Sequence, residues 1–176
     1  YKSLFLANQG PKEQRLAALL DAIAEVYASI MGPDPTEYRA EKGLLDFQDF
    51  EAELTAMPGD YVPPSGRLYL ALDGREPAGC VAMRRLEPGV CEMKRLYVRE
   101  RYRDRGSGRA LAEKVLDDAR RENYRSAKLD TVPWMVEALG LYESLGFTDI
   151  EPYRENPIPG ARYLELKLAS EETERE

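Results

Sequence analysis

The segment RDRGSG, residues 103–108, sets two glycines between a run of arginines and an apolar helical pattern. A helix leaves its first N–H groups without internal partners, and they point outward at the positive end of the helix dipole. Glycines there let a ligand approach the backbone, and neighbouring arginines add charge-assisted hydrogen bonds. The chemistry on offer is phosphate binding. Two common phosphate loops do not fit. A Walker loop needs Gly-Lys-Ser/Thr, but Gly108 is followed by Arg109 and Ala110. A dinucleotide fingerprint needs a third small residue where Leu111 stands.

The charge pattern narrows the ligand. The 176-residue chain carries a net −7, yet residues 94–109 hold Lys94, Arg95, Arg99, Arg101, Arg103, Arg105 and Arg109 against Glu100 and Asp104. That segment is +5 and the remainder −12. The global charge argues against nucleic-acid binding, whereas the local charge suits one small polyanion, with a solvated basic face as the alternative. There is no histidine. Ser-His-Asp and Cys-His mechanisms are excluded, and a general base must be a carboxylate, a tyrosine, a lysine or ordered water. The two cysteines, Cys80 and Cys91, are too few for a disulfide framework and make a zinc site a poor expectation. Both fall in strand patterns, which predicts buried thiols in a reducing cytosol. No apolar run approaches a membrane span and no signal peptide is visible, so the expectation is a cytoplasmic protein with no metal and no membrane partner.

The elements around the glycine turn must position it. Helical spacing predicts helices over 11–31 and about 46–57, separated by the breakers of GPDPTEYR. RLYLALD, PAGCVAMRRL and CEMKRLYV read as three strands of an antiparallel meander. A helix follows over about 106–123, with Leu111, Val115 and Ala119 on one stripe and Ala112 and Leu116 beside it. SAKLDTV is a fourth strand, which must return through that helix and can pair in parallel. Pro133 suits the first turn of a last helix whose inner face is Met135, Ala138, Leu139, Tyr142 and Leu145. Two short strands near 148–151 and 161–168 close the pattern. The reading is one mixed α/β domain over 1–168, with a frayed acidic tail over 169–176.

With these elements in place, RDRGSG matches Arg/Gln-x-x-Gly-x-Gly/Ala, and the chain resembles the GNAT superfamily of N-acetyltransferases. MKRLYV is similar to that family's preceding strand, and EALGLYESLGF, residues 137–147, to its last core helix. The resemblance covers about residues 65–168. It implies the GNAT acyl-CoA N-acyltransferase fold, a mostly antiparallel sheet of six to seven strands with helices on both faces. It implies acetyl-CoA as cosubstrate, a small-molecule or peptide amine as acceptor, and a homodimer as a common assembly.

The resemblance also assigns roles. Arg103, Asp104, Arg105, Gly106, Ser107, Gly108 and Arg109 would hold the pyrophosphate. Leu96, Tyr97 and Val98 would pair with the pantetheine amides as an added strand does. Asp104 stands where glycine is frequent and Ser107 where an aliphatic residue is frequent. Tyr142 is the expected general acid, with a core aromatic as the alternative. Glu92, eleven residues before Arg103, or ordered water is the expected base, with a cross-strand salt bridge or a solvent-facing residue as the alternatives for Glu92. On an ideal strand Glu92 shares a face with Lys94, Leu96 and Val98, which a bulge would change. Tyr38 and Glu41 in residues 31–43, and Arg154 and Glu155 in residues 153–160, are candidate acceptor contacts. The acidity outside the basic segment leans weakly toward a cationic acceptor. Two readings stay open beside acetyl transfer: a non-catalytic CoA-binding regulatory module, and an acyltransferase with a different acyl donor.

Overall fold

The computed structural model describes residues 5–6, 59–74, 76–156 and 158–168. The helices expected over 11–31 and about 46–57, the segment with Tyr38 and Glu41, and the tail over 169–176 lie outside the described residues. The described strands are β1 (Phe5–Leu6), β2 (Arg67–Asp73), β3 (Glu76–Glu87), β4 (Val90–Val98), β5 (Ser126–Thr131), β6 (Thr148–Asp149) and β7 (Arg162–Lys167). The described helices are α1 (Ser107–Arg121) and α2 (Val136–Ser144). The strands form one sheet in the order β1-β2-β3-β4-β5-β7-β6. Every pair is antiparallel except β4 and β5. Among the described residues no helix is long and apolar enough to cross a membrane.

The central strand β3 is buried without a break from Ala78 to Met83, as a strand covered on both faces must be. The stripe predicted for α1 is the one it buries: Leu111, Ala112, Val115, Leu116 and Ala119 are all buried. They join Val81, Met83, Met93, Leu129 and Leu164 in one core cluster, to which α2 adds Leu139 and Tyr142. The second helix starts later than the sequence suggests. Pro133 and Trp134 form a turn, and Val136 is the first helical residue.

Two irregularities in β4 shape everything beside it. The first is a bulge. Lys94 faces Ala82 and Tyr97 faces Cys80, so three steps on β4 match two on β3. Arg95 takes the left-handed conformation at φ 58° that an extra residue requires. The carbonyl of Tyr97 then presses so close to Gly79 that a Cβ there would lie 2.4 Å from it. The bulge corrects the ideal-strand reading. Glu92 and Lys94 share a face with Tyr97, while Leu96 and Val98 turn to the α1 face and pack on the core.

The second is a divergence. β4 and β5 pair only through Val90–Ser126, Cys91–Ala127 and Glu92–Lys128. Beyond that point β5 continues alone with β7 to Thr131. Among the described residues no strand occupies the free edge of β4 from Met93 to Val98.

Away from this gap, α1 is tied to β2 by Asp118. Its carboxylate accepts hydrogen bonds from Lys114 Nζ at 2.8 and 2.7 Å, from Arg121 Nη1 at 3.2 Å and from the Tyr69 hydroxyl. Burial alone would raise the Asp118 pKa. The bonds from Lys114 and Tyr69 outweigh it and hold the group below its ordinary value. A carboxyl lowered on folding adds stability above its unfolded pKa of about 3.9, and loses it as pH falls through the lower folded value. Asp118→Asn should therefore cost about 1.5–3 kcal/mol at pH 7 in urea unfolding and much less near pH 3. Cys80 and Cys91 are wholly buried, and burial pushes both thiols up to about 12. Neither should react with a disulfide reagent at pH 8 until the protein is unfolded, when both should.

Candidate functional site

The gap beyond Glu92 opens into a cleft of about 410 Å³. One wall is the end of β4 with the loop after it, contributing Leu96, Tyr97, Val98, Arg103, Asp104, Gly106, Ser107, Gly108 and Arg109. The facing wall is Trp134, Met135, Glu137, Ala138 and Leu141, from the turn after β5 and from α2. Every residue expected at the cofactor lines this cleft except Arg105.

The local backbone explains the glycine turn. Gly106 caps α1 at φ 78°, a left-handed conformation in which glycine carries no Cβ strain. The first helical hydrogen bond is Ala110 N–H to the Gly106 carbonyl, so the N–H groups of Ser107, Gly108 and Arg109 precede it. They sit at the cleft as unpaired donors of a fifteen-residue helix. Gly108 brings α1 close to both walls, since a Cβ there would lie 3.6 Å from Leu141 and from Val98. Asp104 also has a left-handed backbone, at φ 58°. Aspartate tolerates that region better than most residues, which accounts for its replacing glycine.

The arginines divide their work. Arg103 donates from Nε to the Val98 carbonyl at 3.0 Å and reaches across the cleft to Glu137 at 3.8 Å. Arg109 ties α1 to α2 through Ser144 at 2.5 Å and pairs with Glu113 along its own helix. Arg105 turns away from the cleft and lies over the ring of Tyr102, as Arg101 does.

The two expected catalytic groups occupy different settings. Tyr142 follows Leu141 on α2 but turns inward. It is 7% exposed and packs edge-on against Phe147, with ring centroids 5.9 Å apart. Burial, reinforced by the charge of Asp130, raises its pKa, so the phenol keeps its proton across the neutral range. Glu92 is wholly buried on the sheet face opposite α1. One carboxylate oxygen accepts from Arg84 at 2.8 Å; the other accepts from the Tyr153 hydroxyl at 2.9 Å and lies 3.4 Å from Arg154. Arg154 also pairs with Asp130, and Asn156 donates to Asp130 at 2.9 Å. Arg154 thus joins Glu92 in one network. Glu155 is exposed beside it.

Lys94 belongs to the same face. It stands 3.9 Å from Glu92, with an 11% exposed side chain. Burial pulls its pKa down to about 8; Glu92 opposes the shift, and Arg154, Arg95 and Arg84 add to it.

The comparisons with known proteins agree with this geometry. Residues 22–147 match the model described as the Acetyltransferase (GNAT) family. The chain belongs to that family. It is therefore an acyl-CoA-dependent acyltransferase, with the GNAT fold. It is 40% identical over 136 residues to an uncharacterised N-acetyltransferase of Schizosaccharomyces pombe, a match covering 76% of this chain and 83% of that protein. It is 34% identical over 136 residues to the N-acetylaspartate synthetase of Rattus norvegicus, covering 75% of this chain but only 44% of the relative. The PaiA N-acetyltransferase of Thermoplasma acidophilum, solved with coenzyme A, superposes with a TM-score of 0.64 at 14% identity, over 94% of this chain and 99% of that one. That likeness is one of fold.

Some residues of this GNAT site escaped the sequence pattern. Trp134 carried a usable signal, as the chain's one tryptophan directly after a proline at a strand end. Glu137, Asp130, Arg84 and Tyr153 carried none, because only the folded sheet brings them to the gap. The loop can be tested at Gly106, where a Cβ meets nothing within 4 Å and the strain is in the backbone. Gly106→Val should stay folded yet lose at least about tenfold in coenzyme A affinity by calorimetry, because the unpaired N–H groups are re-aimed. Unaltered binding by the folded variant would remove the loop from the cofactor site.

Proposed function

We propose that the enzyme transfers acetyl from acetyl-CoA directly to the primary amine of a small molecule or peptide. The observation that carries this reading is the free edge of Met93–Val98 running into the unpaired N–H groups of α1. An extended pantetheine arm can add to such an edge as a strand does, and its pyrophosphate then meets the helix N-terminus. In this reading Leu96, Tyr97 and Val98 face the arm. Arg103, Asp104, Gly106, Ser107, Gly108 and Arg109 surround the pyrophosphate. The N-acetylaspartate synthetase relative supports a small amine as acceptor.

The chemistry needs two protons taken from nitrogen and one given to sulfur. The acceptor ammonium must lose a proton before its nitrogen can attack the thioester carbonyl. The C–N bond forms, the C–S bond breaks, sulfur departs as thiolate, and the acylated nitrogen sheds its second proton to water. Tyr142 is assigned the donor role because its phenol is protonated across the neutral range and it directly follows Leu141 of the cleft wall; burial makes it a weak acid, which suits donation only to a fully developed thiolate. The proton returns to Tyr142 from water, and coenzyme A leaves as the thiol. Ordered water is the better fit to the base. The oxygens of Glu92 already hold Arg84 and Tyr153 and lie beside Arg154, so accepting a proton there would break contacts among buried charges. Glu92 then serves by holding those cations in place.

Tyr142→Phe keeps the ring that packs on Phe147 and removes only the hydroxyl. It should lower kcat about 10²-fold, with acetyl-CoA affinity within twofold of the parent, measured by thiol release and by calorimetry. Full turnover by the variant would take Tyr142 out of the acid role.

A further inference from the structure

Among the described residues, the face of the sheet opposite α1 gathers three cations around two carboxylates. Arg84, Lys94 and Arg154 stand around Glu92 and Asp130. Two of these contacts, Arg84 with Glu92 and Arg154 with Asp130, are close and hydrogen-bonded. Tyr153 adds a hydrogen bond to Glu92 and Asn156 one to Asp130. Among the described residues, Lys94 has one ion-pair contact, at 3.9 Å, to a carboxylate already committed elsewhere. Lys128, the next cation along this face, is occupied with Glu87 at 3.2 Å. A buried ammonium without a close counter-charge is costly and is normally completed by an anion.

The place of Lys94 matters as much as its charge. It is the second residue past the last β4–β5 pair, on the strand edge that runs into the cleft at Leu96. Its side chain is on the face away from the core, because the bulge at Arg95 lies beyond it. Lys94 therefore sits where the two strands part, two residues before Leu96, the first residue of β4 to line the cleft.

We propose that Lys94 anchors a carboxylate of the acceptor, with Arg84 and Arg154 shaping the positive field around it, so that the acceptor is an amino carboxylate. This rests on the acetyltransferase reading and narrows its acceptor class. The same field disfavours a second positive charge on the acceptor, so it excludes polyamines and eases loss of the ammonium proton to water. The direction is opposite to the weak lean toward a cationic acceptor that the overall acidity gives.

Ligand-observed NMR tests it on the intact protein, with acetyl-CoA binding measured separately by calorimetry. The probes are the common α-amino acids, the corresponding carboxamides, and spermidine. At least one amino acid should bind ten times more tightly than its amide or more, and spermidine should not compete. Lys94→Met should bring that amino acid down to the level of its amide, and Lys94→Arg should retain most of the preference. The Lys94 titration, followed at its ε-carbon, should move upward from about 8 when the amino acid is bound. Amides or spermidine binding as well as the acids would overturn the proposal, as would binding by none of the probes. A preference that survives Lys94→Met would also overturn it. Failure of acetyl-CoA to bind would instead strike the cofactor reading, and calorimetry reports it independently.

Discussion

The parting of β4 from β5 after Glu92 is the constraint on which the site depends. A parallel pair that ran on would satisfy the backbone of Met93–Val98 and leave no edge for a ligand. Because the pairing stops after three residues, the same backbone groups stay available, and the walls of the gap become the cleft. The strands hold apart because each is secured on its far side, β4 by β3 and β5 by β7. The opening is thus made by rigid elements, which suits a site that must align an extended cofactor.

Charge is sorted by the two ends of the gap. At the outer end, helix N–H groups and Arg103 and Arg109 supply donors without much buried charge. At the inner end, ionised groups are packed away from water, and among the described residues all but Lys94 are closely paired through named contacts. The first arrangement tolerates a mobile, solvated phosphate group. The second holds geometry tightly, because any displaced partner leaves a buried ion unpaired. Asp130 connects the inner cluster to α2, acting electrostatically on the buried Tyr142 while paired to Arg154.

Local pattern and long-range pairing contributed differently to what the sequence disclosed. The stripe of α1, the order of the strands from Arg67 onward and the glycine loop were legible, because each rests on spacing within a short window. The function class followed from that loop joined to the Leu-Tyr segment of α2. The bulge was anticipated only as a condition. Nothing in CEMKRLYV distinguishes a regular strand from one with an inserted residue, since Arg95 is an ordinary strand residue by type. The Glu92 network was illegible for a different reason. Arg84, Asp130, Tyr153 and Arg154 lie on three separate segments, and only the register of the sheet with the turn after β6 brings them together. Arg105 shows the reverse: a residue in the motif whose side chain is captured by Tyr102.

The bulge at Arg95 makes the count of residues in β4 as consequential as their identity. The strand presents ionic side chains before the bulge and apolar ones to the core after it, and a single extra amino acid keeps the two in phase. Losing Arg95 would rotate the distal half of the strand by half a pleat. Leu96 and Val98 would then exchange faces with Tyr97, although every side chain that touches the cleft was still encoded.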